Sequence, residues 1–270
     1  IKAMIEEYLR SLINWILIIS NNNLIIIMII AGLFLTLMTS LGALIAIFFK
    51  TIPSWGINLN LSFAAGIMLT ASFTSLILPS IKITNSFLPT AIGMFLGIIL
   101  ILIIDRIIPH EHLVKGYEGP KELKNKFKLV WLLIFAMIVH NLPEGLAVGT
   151  SLAFNTKDGL ITTIAIGIQD VPEGAVVALP LASLQQKRFM PIFLGILSGV
   201  AEFITVIIGA LFFKGFSFLL SYGLSLAGGA MLYITVKELI PEIYKGEDNE
   251  LLITAGFFLG FYIMLYLDSM

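Results

Sequence analysis

His140-Asn141-Leu142-Pro143-Glu144-Gly145 is followed by a near twin, Gln169-Asp170-Val171-Pro172-Glu173-Gly174. Both read polar, polar, apolar, Pro, Glu, Gly, and they start about 29 residues apart, one bilayer crossing and back. Each lies in a run apolar enough to be lipid-embedded helix, where an ionisable side chain costs several kcal/mol. On a helix, i and i+4 share a face and i+1 is the next stripe. His140, Asn141 and Glu144 therefore form one wedge, and Gln169, Asp170 and Glu173 a second. A short connection makes the two helices antiparallel neighbours, so the wedges are expected to face each other. Pro143 and Pro172 each remove a backbone N–H, predicting kinks, and Gly145 and Gly174 let backbones approach closely.

Working outward, the 270-residue chain is 58% hydrophobic and 12% charged, with mean hydropathy +1.01. A soluble domain is nearer half apolar and a quarter charged, so this reads as one polytopic membrane domain over residues 1–270. The net charge of −1 gives no sign of a nucleic-acid partner. Without Cys there are no disulfides or thiolate metal sites. A metal must then be held by His, carboxylate, amide or Met, which suits borderline or harder divalent ions better than Cu(I). The sequence begins at Ile1, which leaves room for an upstream segment.

Apolar runs of about 20 residues predict an all-α bundle of eight core transmembrane helices. They lie at 24–49, 57–79, 87–108, 128–153, 159–184, 190–213, 217–243 and 251–268. Residues 3–20 are a further helix, either peripheral at the interface, as Glu6, Glu7 and Arg10 suggest, or an extra span. The long hydrophilic connection is 109–128. Lys50, Arg106, Lys115, Lys121, Lys124, Lys126, Lys128, Lys187, Arg188, Lys237 and Lys245 collect on one side, against Lys2, Arg10, Lys82, Lys157 and Lys214 on the other. The positive-inside rule makes the 109–128 loop cytoplasmic and puts the C-terminus outside. The run Lys121–Lys128 reads as a topology signal in contact with lipid headgroups.

Span two has Ala65-Gly66-Ile67-Met68-Leu69 and ends at Pro79, and span seven has Ala227-Gly228-Gly229-Ala230-Met231-Leu232 and ends at Pro241. Gly66 to Pro79 and Gly228 to Pro241 cover equal distances in spans of opposite direction. Such inverted repeats mark transporters, with a site near the midplane.

The facing wedges offer ligands for one octahedral or two adjacent divalent ions, with Glu144 and Glu173 placed to bridge. A cation also explains why several acids sit together, since without one they repel. Glu202 in span six is expected to point into the same cavity, and Met68 and Ser75 in span two to offer a sulfur and a hydroxyl. Asp105, His110, Glu111 and His112 open the long loop, and Lys237, Glu238 and Glu242 close span seven, together forming an exit vestibule. The competing reading of the polar motifs is helix–helix glue, which one copy alone would leave open. Gly93/Gly97 and Gly195/Gly199 read as close helix contacts, within one protomer or between the two of a homodimer.

His-Asn-x-Pro-Glu-Gly in span four and Gln-Asp-x-Pro-Glu-Gly in span five resemble the ZIP (Zrt-, Irt-like protein) family of divalent-metal transporters. Pro-His-Glu-His at 109–112 further resembles its prokaryotic GufA-like branch. The resemblance implies a first metal site from Met68, His140, Glu144, Gln169 and Glu173. It implies a second from Asn141, Glu144, Asp170, Glu173 and Glu202, and a release path through Asp105, His110, His112 and Glu238. The chain departs from the pattern at Lys237, where relatives often carry His and where a fixed positive charge repels a leaving cation.

The expected function is transport of Zn2+, or of Cd2+, Fe2+ or Mn2+, as one or two ions per protomer into the cytosol across the cell membrane. Heavy use of Ile, Asn and Lys points to an AT-rich bacterial genome. A cation channel is the alternative, differing in that its flux does not saturate at low metal concentration. An intramembrane metallohydrolase fits less well, because the His-Glu-x-x-His pattern is absent and no Ser/His/Asp set is evident. An enzyme is therefore not expected.

Overall fold

A computed structural model describes residues 2–48, 54–112, 116–121, 129–185, 189–244 and 250–269. Lys50, Lys115, Lys124, Lys126, Lys128, Lys187, Arg188 and Lys245 of the orientation argument lie outside them, as do the side chains of Glu111, His112 and Glu242.

The chain opens with α1 (Lys2–Ile19), which turns through Asn21 and Asn22 at φ 50° and 53°. Asn tolerates this left-handed region better than most residues. Asn23 then caps the next helix, its Oδ1 accepting the Ile25 N–H at 2.9 Å. The long helices follow as α2 (Leu24–Phe48), α3 (Ser54–Ala71), α5 (Phe87–Ile107), α6 (Leu129–Phe154), α7 (Thr156–Gln185), α8 (Phe189–Gly215), α9 (Leu220–Ile234) and α11 (Glu250–Asp268). The class is the all-α polytopic bundle read from the sequence. Among the described residues six helical stretches are long and apolar enough to cross a membrane, and α1 is not one of them. The six include Asn58–Thr84 and Ser217–Leu239. The expectation of eight adds α6 and α7, 26 and 30 residues long, which hold the twin motifs.

One correction concerns a proline. Span two does not end at Pro79. A π-helical turn, Ser72–Ile77, leads into α4 (Leu78–Thr84), which stops only at Asn85 in the left-handed region. The Leu78 N–H donates five residues back to the Phe73 carbonyl. In an α-helix the Pro79 ring would press on the carbonyl one turn earlier, and the wider turn relieves that contact. Span seven repeats the device. A π-helical turn, Thr235–Leu239, precedes α10 (Ile240–Ile243) with Pro241, and the Ile240 N–H reaches the Thr235 carbonyl. The inverted pair thus shares a backbone irregularity as well as residues. Pro143 and Pro172, by contrast, break neither α6 nor α7; packed neighbours let membrane helices tolerate proline.

The helices pack as two groups. α2, α6, α7 and α8 associate through α6 on α8 and α2 on α7 and α8, whereas α11 packs on α3 and α5 on α9. The groups meet where α6 touches α9 and α3 touches α7. Within the first, Thr36 Oγ1 donates to the Gly199 carbonyl at 2.8 Å, tying α2 to α8. Within the second, Ser80 and Ser221 exchange hydroxyl-to-carbonyl hydrogen bonds of 2.8 and 2.9 Å, the polar glue that membrane bundles use. Both glycine pairs act inside one protomer: Gly93 and Gly97 lie against α9, and Gly195 and Gly199 against α2.

The loop after α5 is not featureless. Its described part holds an antiparallel hairpin, β1 (His110–His112) with β2 (Gly116–Glu118), pairing His110 with Glu118. β1 packs on α6.

Candidate metal centre

Gly145 brings α6 onto α8, because a Cβ there would overlap Thr205 Oγ1 and the Glu202 carbonyl. The backbone beside Glu144 therefore lies directly on the backbone of Glu202. On α7, Gly174 seats against the Thr39 carbonyl of α2 in the same way. The two wedges do face each other, with Gln169 Nε2 donating to Glu144 Oε1.

The outcome is a buried chamber of oxygens. One carboxylate oxygen each from Glu144, Asp170 and Glu202 lies within 4.8 Å of the others, and all three residues are at most 1% exposed. Glu144 Oε2, both Asp170 oxygens, both Glu202 oxygens, Asn141 Oδ1 and Gln169 Oε1 are buried without a hydrogen-bond partner among the described residues. Every one of these atoms is an acceptor. Two unit charges 4.8 Å apart repel by about 3.5 kcal/mol at an effective dielectric constant of about 20. Helix glue does not explain such a set, since glue needs donors to match acceptors. Divalent cations are what such a set of oxygen acceptors suits.

Met68 is fully buried on α3, the helix that meets α7. Glu173 is half-buried on α7. Ser75 goes elsewhere: its hydroxyl donates to Asp268 on α11 at 2.9 Å, and Thr74 also bonds to Asp268. The hydroxyl expected beside Met68 therefore pins α11 to the π-helical turn. Asp268 was missed in the sequence because an acid at the end of a final span reads as a solvated terminus.

A polar chain leaves the wedges toward the hairpin. His140 Nε2 lies 2.9 Å from Glu238 Oε2, which links the first motif to the π-helical turn of span seven. Lys237 Nζ lies 3.5 Å from Glu238 Oε1, 2.6 Å from Asp105 Oδ2 and 3.0 Å from Glu118 Oε2. Asp105, His110 and Glu118 also present ligand atoms within 4.8 Å of one another. Glu118 had no sequence signal, being one acid in a polar loop, and reaches Asp105 and His110 only through the hairpin register. The described residues thus group Asp105, His110 and Glu238 in one cluster, together with Lys237.

The family model described as ZIP Zinc transporter matches residues 109–268. The Bordetella bronchiseptica protein named Zinc transporter ZIPB is 37% identical over 240 residues, covering 86% of this chain and 77% of that protein. Zinc transporter GufA of Myxococcus xanthus is 34% identical over 203 residues, 72% of this chain and 79% of its own length. The human Zinc transporter ZIP11 is 26% identical over 319 residues, 86% and 93% respectively. Their names are those of transporters, not of enzymes.

Proposed function

Because the chain belongs to the ZIP zinc-transporter family, we propose that it carries Zn2+ across the cytoplasmic membrane into the cytosol. The same ligands suit Cd2+, Fe2+ and Mn2+. The supporting observation is the chamber of buried, partnerless oxygens on α6, α7 and α8.

Two adjoining sites are our reading of it. Met68, His140, Glu144, Gln169 and Glu173 hold one ion, and Asn141, Glu144, Asp170, Glu173 and Glu202 hold the second, with Glu144 and Glu173 bridging. The ion leaves past His140 and Glu238 toward Asp105, His110 and His112. The 109–128 loop lies in the cytoplasm, the C-terminus lies outside, and the cell is bacterial. The group α2, α6, α7 and α8 moves against α3, α5, α9 and α11, exposing the site to each side in turn, in a monomer or in each half of a homodimer. The pattern of helix contacts supports such a division, since packing is denser within the groups than between them.

Uptake of Zn2+ and Cd2+ into proteoliposomes tests this reading. Saturable uptake is expected in wild type and a loss of at least tenfold in Glu173→Ala, whose side chain belongs to both sites. Non-saturating flux would point to a channel instead. Absence of flux in folded wild-type protein would sink the proposal.

A further inference from the structure

Lys237 is the one described lysine enclosed by three carboxylates: Asp105 at the end of α5, Glu118 on β2 and Glu238 beside it in the π-helical turn. Its ammonium also lies over the Tyr233 ring, with Nζ 5.3 Å from the centroid. Asp105 and Glu238 are nearly fully buried, and His110 is completely so. His110 Nδ1 lies 2.7 Å from the Ile108 carbonyl. A carbonyl only accepts, so Nδ1 carries the proton and donates. Nε2 is then turned toward the acids, 3.7 Å from Asp105 Oδ1 and 3.8 Å from Glu118 Oε2. A histidine held by its far nitrogen with the near one aimed among carboxylates is the arrangement of a metal ligand. The cation at this cluster is the Lys237 ammonium.

We propose that Lys237 is a tethered counter-cation, standing at the hairpin end of the exit path where Asp105, His110 and Glu118 would otherwise hold a divalent ion, so that an ion leaving the core passes this point by exchange with the lysine and is not retained. This rests on the transport reading for the direction of the ion but not for the cluster itself. Three acids gathered within 3.5 Å of one point call for a positive charge there. A covalently attached one supplies it at an effective concentration that free metal cannot match, as any intramolecular partner does. The same bonds fasten the hairpin to α5 and to the turn of span seven.

The test is a count of ions bound per chain to detergent-purified protein, by equilibrium dialysis against Zn2+ with elemental analysis. Lys237→Leu keeps an aliphatic side chain and removes the charge; it is expected to bind one more ion than wild type. Lys237→Arg is expected to match wild type, and Lys237→Leu with Glu118→Gln to lose the added ion. In the wild-type background Glu118→Gln alone should leave the count unchanged, because the cation there is lysine, and this arm does not depend on the leucine variant folding. An unchanged count in Lys237→Leu, or a drop of one ion in Glu118→Gln alone, overturns the proposal. Wild type binding no ion that depends on Glu144 would instead overturn the transport reading, and the two failures are distinguishable.

Discussion

Glu202→Gln separates a cation chamber from polar glue, because the two readings give opposite signs. Both Glu202 oxygens are buried and without a hydrogen-bond partner among the described residues, and one lies within 4.8 Å of oxygens on Glu144 and Asp170. At that distance each of its two repulsions is about 3.5 kcal/mol, an upper bound because small side-chain shifts relieve part of it. The amide keeps the shape, removes the charge and supplies two donors to neighbouring acceptors that lack them. Relief of one unsatisfied buried group is worth about 1–3 kcal/mol. At roughly 2–4 °C per kcal/mol for a chain of this size, metal-free Glu202→Gln should melt roughly 2–12 °C above metal-free wild type. With metal the order narrows or reverses. A ligand at about 100 times its Kd stabilises by about 2.7 kcal/mol, and the variant loses much of that gain along with a ligand. The assay is thermal unfolding of purified protein in detergent, with chelator and with Zn2+ or Cd2+. A lower Tm for the variant under chelator, together with a metal-induced rise equal to that of wild type, would refute the reasoning.

Gly97→Ala should destabilise by about 1–3 kcal/mol, the usual range for overpacking, because the added methyl meets the Leu226 carbonyl and the Ala230 nitrogen of α9. Gly215→Ala, with nothing within 4 Å, should stay within about 0.5 kcal/mol of wild type in the same melt. Asp268→Asn weakens the charge-assisted bonds to Thr74 and Ser75 and should cost about 1–3 kcal/mol. Protection from hydrogen exchange should fall at α11 and at the π-helical turn together, and a fall at α11 alone would show that the two are not coupled.

Some of the site was legible in the sequence because it is local. The i, i+1, i+4 spacing fixes which side chains of a motif share a helix face whatever surrounds it. Glu202 stood out in the same way, as an acid in an otherwise apolar run. What escaped was non-local or masked by an ordinary context. Glu118 resembles any loop acid until the β1–β2 register sets it opposite His110. Ser75 shares a helix face with Met68 but bonds to a residue nearly two hundred positions away. Lys237 reads from the sequence as a charge opposing a leaving cation; only its distances to Asp105 and Glu118 show it bonded into the cluster.

The sequence by itself determined the membrane class, most helix limits and the two polar wedges, because bilayer thickness and helical periodicity act on consecutive residues. The tertiary structure decided that Glu144, Asp170 and Glu202 share one cluster and that a lysine pairs with both Asp105 and Glu118. Those outcomes depend on which helices touch, and that is set by where small residues let backbones meet and by which buried charges find an opposite.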